Sequence, residues 1–323
     1  MLKKIIFSLV PAVILFAMLE LGLRLSPYNE YLSLEYRKGS LYDHCIFWKP
    51  EPAERNPLKI HHDYRKEFRG ISYEKKKQKD TLRIVCLGGS STWGWPLEYT
   101  TKIYPAVLEG LLNAHFGNMK FEIINAGVGG YSSFQDLMYL KNTLLEYNPD
   151  IITLCIGAND SNDNTDILVA MTDREYWEHL KTKNSKHVEP AEIILRKAKS
   201  YLINSRVYNA LDSIIFRIKN KPKRRVPIGD FEDNLNEILK LAKAHSFKVF
   251  LITEAHRSSD AILEYIDVLK KISNDNDNVF FVDTRPFLED DSYFLDEMHP
   301  TYEGHEIIAK VIFDTIAEVK LDD

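Results

Sequence analysis

Cysteine is scarce in this chain, with three in 323 residues. A small odd number without C-x-x-C spacing excludes both a disulfide framework and a cysteine-built metal site. Cys86 and Cys155 stand inside apolar strand-like runs, where a thiol acts as a small buried apolar group, and Cys45 is isolated. Neither sign of charge is in large excess. The chain carries 42 basic and 47 acidic residues, a net charge of −5, which leaves no footprint for nucleic acid. No internal repeat or low-complexity segment is present. The pattern Gly-x-Ser-x-Gly is missing too: around Ser90 the second glycine is replaced by Thr92, which argues against an α/β-hydrolase nucleophile elbow. What remains is ordinary for a globular protein, 45% hydrophobic and 28% charged, enough for a sizeable core in one large or two small domains.

The first 25 residues differ from the rest. Lys3 and Lys4 precede an apolar run from Ile5 to Leu19, followed by Glu20 and Arg24. About 20 mostly apolar residues can span a bilayer, and basic residues before them favour a cytoplasmic N-terminus. The expectation is an N-terminal transmembrane helix over residues 1–25, a single-pass anchor in the cell membrane with everything after it extracytoplasmic. No small-x-small cleavage site follows the run, which disfavours the alternative, secretion after signal-peptide cleavage. A buried helix is the third reading.

Residues 26–80 are tyrosine-rich, charged and poorly periodic, and read as a connecting segment. From Thr81 to the end at 323 the pattern alternates between strand and helix. Apolar runs at 82–87, 121–124, 151–156, 248–252 and 279–282 predict five strands. Helical spacing predicts helices at 101–116, 134–147, 231–244, 261–272 and 303–318. Strands that are apolar throughout and alternate with helices form a sheet covered on both faces. The fold class expected is therefore α/β: a three-layer α/β/α sandwich on a central, mostly parallel five-stranded sheet. Residues 161–228 exceed what a strand-to-strand connection needs and read as a helical insertion, with helices near 190–203 and 206–218, either a lid or a solvated excursion.

Four fragments fall at or after strand ends, where ligands bind in such sheets. They are Gly88-Gly-Ser-Ser-Thr92, Asn125-Ala-Gly-Val-Gly-Gly130, Gly157-Ala-Asn-Asp160 and Asp296-Glu-Met-His299. A serine hydroxyl is a poor nucleophile until a neighbouring base takes its proton, and Ser90 sits on a glycine-flanked strand-to-helix turn that would expose its oxygen. Asp296 and His299 are three residues apart, so the carboxylate can hold the imidazole Nδ1–H and turn the other nitrogen toward Ser90. The backbone N–H groups of Ser90 and Gly130 and the side-chain amide of Asn159 would supply donors for an oxyanion. A metal reading of Asp296, His299 and His305 lacks a clear fourth ligand. Asn159 also has a plain alternative as a turn former, and Ser90 as a helix cap.

In these four ordered fragments the chain resembles the SGNH (GDSL-type) hydrolases, over roughly residues 81–320. The resemblance implies Ser90 as nucleophile, Gly130 and Asn159 in the oxyanion hole, and His299 with Asp296 completing a triad. It also implies a flavodoxin-like sandwich and no metal or organic cofactor. One departure is Gly89, where the first block commonly has Asp.

Trp93, Trp95 and Tyr131, with Tyr99 nearby, are candidate walls of a substrate pocket, or simply packing. Together these readings predict a membrane-anchored serine ester hydrolase of carboxylesterase or deacetylase type, working through an acyl-enzyme on an acylated cell-envelope saccharide or lipid. Its partners would be that ester substrate and, through the N-terminal helix, the membrane. Two alternatives use the same fold: an O-acyltransferase that modifies a saccharide, and a non-catalytic envelope-binding protein.

Overall fold

The structure, a computed structural model, describes residues 2–25, 40–43, 47–50, 68–71, 73–117, 119–163, 171–184, 205–219, 221, 223–254, 256 and 260–319. The predicted helix at 190–203, His61, His62 and most of the connecting segment lie outside these residues.

Helix α1 (Leu2–Leu25) precedes a small antiparallel pair, β1 (Ser40–Asp43) and β2 (Phe47–Pro50). The main sheet is built from β3 (Thr81–Gly88), β4 (Lys120–Asn125), β5 (Ile151–Ile156), β6 (Lys248–Thr253) and β7 (Val279–Val282). Its order is β4-β3-β5-β6-β7 and every neighbouring pair is parallel. The chain thus leaves β3 to one side and returns on the other, so the switch in strand order lies between β3 and β5.

Alternation along each strand decides which layer it feeds, because successive side chains point to opposite faces. Val85 and Leu87 of β3, Ile152 and Leu154 of β5, and Val249 and Leu251 of β6 join one apolar cluster. That cluster is covered by α4 (Ser133–Asn142), α8 (Ile228–His245) and α9 (Ala261–Asn274). Ile84 and Cys86, Ile151 and Cys155, and Phe250 and Ile252 point the other way, under α3 (Tyr104–His115) and α10 (Tyr302–Glu318). Fully burying each such aliphatic side chain contributes roughly 1.5–3 kcal/mol, which is why these runs are apolar on both faces. Arg83 interrupts the pattern at the amino-terminal end of β3. It is 1% exposed and is paired with Glu122, its register partner on β4, at 2.7 Å. Its guanidinium also donates to the carbonyls of Tyr147 and Lys75. The charge is tolerated because its donors are spent.

The remaining helices are short or lie in the excursion after β5. They are α2 (Ser90–Trp93), α5 (Ala158–Ser161), α6 (Asp173–Asn184) and α7 (Arg206–Lys219).

One expectation is corrected. A helix does form at the N-terminus, but no helix of the described residues is long and apolar enough to cross a membrane. The mostly apolar run from Ile5 to Leu19 rises only about 22 Å at ~1.5 Å per residue, against a hydrocarbon core of about 30 Å. It also contains Pro11. Glu20 caps α7. Its carboxylate accepts from Ser205 Oγ (3.0 Å), Arg206 N (3.1 Å) and Val207 N (3.0 Å). Desolvation raises its pKa, but these bonds and Arg24 outweigh that and hold it at about 2.

Candidate active site

The site forms at the carboxyl ends of β3 and β5, on either side of the switch in strand order, where open parallel sheets bind ligands. Gly88 ends β3 opposite Cys155 in register. Its φ of +147° and the surroundings admit no side chain, since a Cβ there would stand 2.4 Å from Thr92 Oγ1 and 2.5 Å from the Cys155 carbonyl. The chain can therefore turn sharply at this edge and start α2 with Ser90. Gly94 closes the helix in the left-handed conformation, its N–H bonded to the Ser90 carbonyl at 2.9 Å.

Ser90, His299 and Asp296 make one hydrogen-bonded chain. His299 Nε2 lies 2.8 Å from Ser90 Oγ, and Nδ1 lies 2.7 Å from Asp296 Oδ2. The other carboxylate oxygen, Oδ1, accepts from the backbone N–H groups of Met298 and His299, both at 2.9 Å. A bond from Leu295 N to the His299 carbonyl (2.8 Å) closes this tight loop. Desolvation pushes the Asp296 carboxyl up, but the Met298 N–H and His299 bonds outweigh it and hold it below the usual carboxylate range. Ser90 is 3% and His299 8% exposed, so their contact is shielded from water.

Asn159 stands on α5, immediately after β5, and is also buried. Its Nδ2 has no hydrogen-bond partner among the described residues. A Cβ at Gly89 would fall 2.4 Å from that nitrogen. The amide therefore lies against the turn that carries Ser90, in the space a side chain at position 89 would enter. The Gly130 loop adjoins the same turn: Val128 N donates to the Gly88 carbonyl at 2.9 Å, and Gly130 itself has a φ of +77°.

Two of the candidate pocket walls are buried. Tyr131 is 1% exposed and meets Tyr139 edge-on, while Trp93 is buried beneath the Arg69 guanidinium. Trp95 is partly exposed. Tyr99 is open to solvent, tilted against Tyr302 with ring centroids 6.0 Å apart. His305 is set apart from the triad in the core, stacked on Tyr104, whose N–H it accepts on Nδ1. Burial pushes its pKa down to about 3.

Three groups near the site carried too little signal in the sequence. Asp160, beside Asn159, accepts from Ser133 N and Oγ and from Gly157 N, tying α4 to the turn after β5. Burial pushes this carboxyl up to about 6, with the Ser133 bonds opposing. Arg225 comes from the basic stretch of the insertion, yet it is 4% exposed. It donates to the Gly130 carbonyl (2.8 Å), Gln135 Oε1 (2.8 Å) and Asp173 Oδ2 (2.9 Å), while Ser132 Oγ donates to the same Asp173 oxygen. The insertion thus clamps the Gly130 loop from behind. Glu254, one residue past β6, bonds Ser91 and Ala158. A lone carboxylate at the end of an apolar strand was the available clue.

A hydroxyl, an imidazole with its carboxylate and a buried amide thus meet near the strand ends of a doubly wound sheet, and the family the chain matches makes it a serine hydrolase acting on ester bonds. The model of the GDSL-like Lipase/Acylhydrolase family matches residues 86–307, and the chain belongs to that family. Among solved structures it is similar to Axe2, an acetylxylan esterase from Geobacillus stearothermophilus. The identity is 18% and the TM-score 0.48, covering 74% of this chain and 95% of that one. It is also similar to the acetyl xylan esterase AlAXEase, with 17% identity, a TM-score of 0.48, and coverage of 74% and 100%. A third is LAE5, an alpha/beta hydrolase enzyme from the metagenome of Lake Arreo, Spain, with 17% identity, a TM-score of 0.48, and coverage of 73% and 95%. No curated protein matches the chain.

Proposed function

We propose that the chain hydrolyses short-acyl esters of saccharides through an acyl-enzyme on Ser90. The observation that carries this reading is the unbroken chain Ser90 Oγ, His299 Nε2, His299 Nδ1, Asp296 Oδ2, with links of 2.8 and 2.7 Å. His299 takes the hydroxyl proton as Ser90 Oγ bonds to the ester carbon. Asp296 stays ionised, fixes the tautomer and stabilises the imidazolium. The carbonyl oxygen becomes an oxyanion, received by the uncommitted Asn159 amide and by the backbone N–H groups of Ser90 and Gly130. Collapse of this intermediate breaks the bond to the alcohol, which leaves with the proton from His299. Water then attacks the acyl-enzyme by the same route in reverse, releasing the acid and restoring Ser90.

A small acyl group suits a site whose Ser90, Asn159 and His299 are each less than a tenth exposed and whose Trp93 and Tyr131 are packed. Tyr99 and Tyr302 follow Ser90 and His299 in the chain, and the exposed ring of Tyr99, tilted against the half-buried Tyr302, is available to a sugar ring. The test uses 4-nitrophenyl acetate, butyrate and octanoate together with a peracetylated monosaccharide. The acetyl esters should turn over fastest, and Ser90→Ala should lose activity by on the order of 10⁴-fold or more. Full activity in Ser90→Ala, or a preference for octanoate, overturns the proposal.

A further inference from the structure

Glu254 follows directly on Thr253, the last residue of β6, and is 1% exposed. Its two oxygens are spent on different loops. Oε1 accepts from Ser91 Oγ at 2.9 Å, and Oε2 accepts from Ala158 N at 3.2 Å. Ser91 is the residue after the proposed nucleophile, and Ala158 is the residue before the Asn159 donor. The same Ser91 hydroxyl stands 3.4 Å from the carbonyl of Met298, the residue before His299. One buried carboxyl therefore contacts a chain neighbour of Ser90 and of Asn159 directly, and reaches a neighbour of His299 through Ser91.

Stability alone does not account for a carboxyl at this position. Its titratable neighbours are Asp136 on α4, Asp160 on α5 and the Cys155 thiol on β5. Burial pushes the carboxyl up to about 7, with the Ser91 and Ala158 bonds opposing and Asp160 adding to the rise. Burying an acid among other acids costs stability that an apolar side chain would avoid.

We infer that Glu254 is a positioning residue, holding the nucleophile turn, the oxyanion-donor turn and the histidine loop in mutual register. The inference rests on the proposed roles of Ser90, Asn159 and His299. It makes a distinction between two substitutions. In Glu254→Gln, the amide oxygen accepts from Ala158 N–H and the amide nitrogen donates to Ser91 Oγ, which turns its own proton to the Met298 carbonyl. All three loops stay joined. In Glu254→Leu, the Ala158 N–H and the Ser91 hydroxyl lose their shared acceptor.

The experiment measures kcat and KM on 4-nitrophenyl acetate, normalised to Ser90 sites titrated with a fluorophosphonate, with thermal melting run alongside. Glu254→Gln should keep kcat within about fivefold. Glu254→Leu should lose on the order of 10- to 100-fold in kcat, the size of one or two unsatisfied buried donors, with KM within about threefold. Adding Ser91→Ala to Glu254→Leu should cost less than the two single losses combined. Should Glu254→Leu fail to fold, Ser91→Ala alone carries the test, with kcat lower by about tenfold and KM unchanged. Wild-type kcat per titrated site in folded Glu254→Leu, or in Ser91→Ala, overturns the inference. Either result leaves the Ser90 mechanism standing, because that fails separately, through activity in Ser90→Ala.

Discussion

Gly89→Ala adds a single methyl group to the first loop of the site, and its consequence can be worked from the coordinates. The new Cβ would stand 2.4 Å from Asn159 Nδ2, about an ångström inside ordinary van der Waals contact, and 3.5 Å from the Tyr131 carbonyl, which is tolerable. The Asn159 side chain is the part able to yield, because its Nδ2 makes no bond that would hold it. It would move by about an ångström and cease to be aimed at the oxyanion. Losing one such donor typically costs about 100- to 1000-fold in kcat, roughly 3–4 kcal/mol. Folding should change little, since no hydrogen bond within the protein is broken. The assay is kcat/KM on 4-nitrophenyl acetate for wild type, Gly89→Ala, Asn159→Ala and the double variant. Asn159→Ala should lose about as much as Gly89→Ala, and the double variant little more than either, because both act on the same amide. The reasoning is refuted by a Gly89→Ala enzyme with wild-type kcat, or by losses that simply add.

Two other substitutions reach the buried polar groups around the site. Arg225→Met leaves Asp173, 0% exposed, without its guanidinium, and should lower unfolding free energy by about 3–5 kcal/mol, the range for a broken buried pair. A denaturant titration that finds a loss under about 1 kcal/mol contradicts the clamp. The Glu254 carboxyl, raised from 4.5 to about 7 in the folded state, binds a proton more tightly there than in the unfolded chain. Its contribution to stability is therefore fully present below pH 4.5 and is lost as pH rises through about 7, by roughly 3 kcal/mol. The fall in urea midpoint between pH 5 and pH 8 should be smaller in Glu254→Gln than in wild type; equal slopes would assign the pH dependence elsewhere.

The sheet was legible because its strands are short, β-branched and apolar on both faces, and the observed boundaries differ from the expected ones by a residue or so at each end. The Ser90 and Asn159 fragments could be found because each directly follows a strand, and a parallel sheet brings strand ends to one edge; the Asp296–His299 fragment, which lies beyond two short turns after β7, could be found from its three-residue spacing. Side-chain direction after a turn is not written in sequence, so the choice between pocket wall and packing at Trp93 and Tyr131 stays open there; both side chains are buried. Arg225 lies in an insertion that reads as either a lid or a solvated excursion, and its burial follows from its approach to Asp173, 52 residues away. Hydropathy misled at the N-terminus. It registers an apolar run, and it does not register that Glu20 would be engaged by the start of α7.

Covalent labelling addresses the central claim most directly. Folded protein treated with a fluorophosphonate and analysed by peptide mass spectrometry should carry a single adduct on Ser90, and His299→Ala should slow its formation by orders of magnitude. An unmodified Ser90, or an adduct that forms equally fast without the imidazole, would contradict a hydroxyl activated across 2.8 Å by His299.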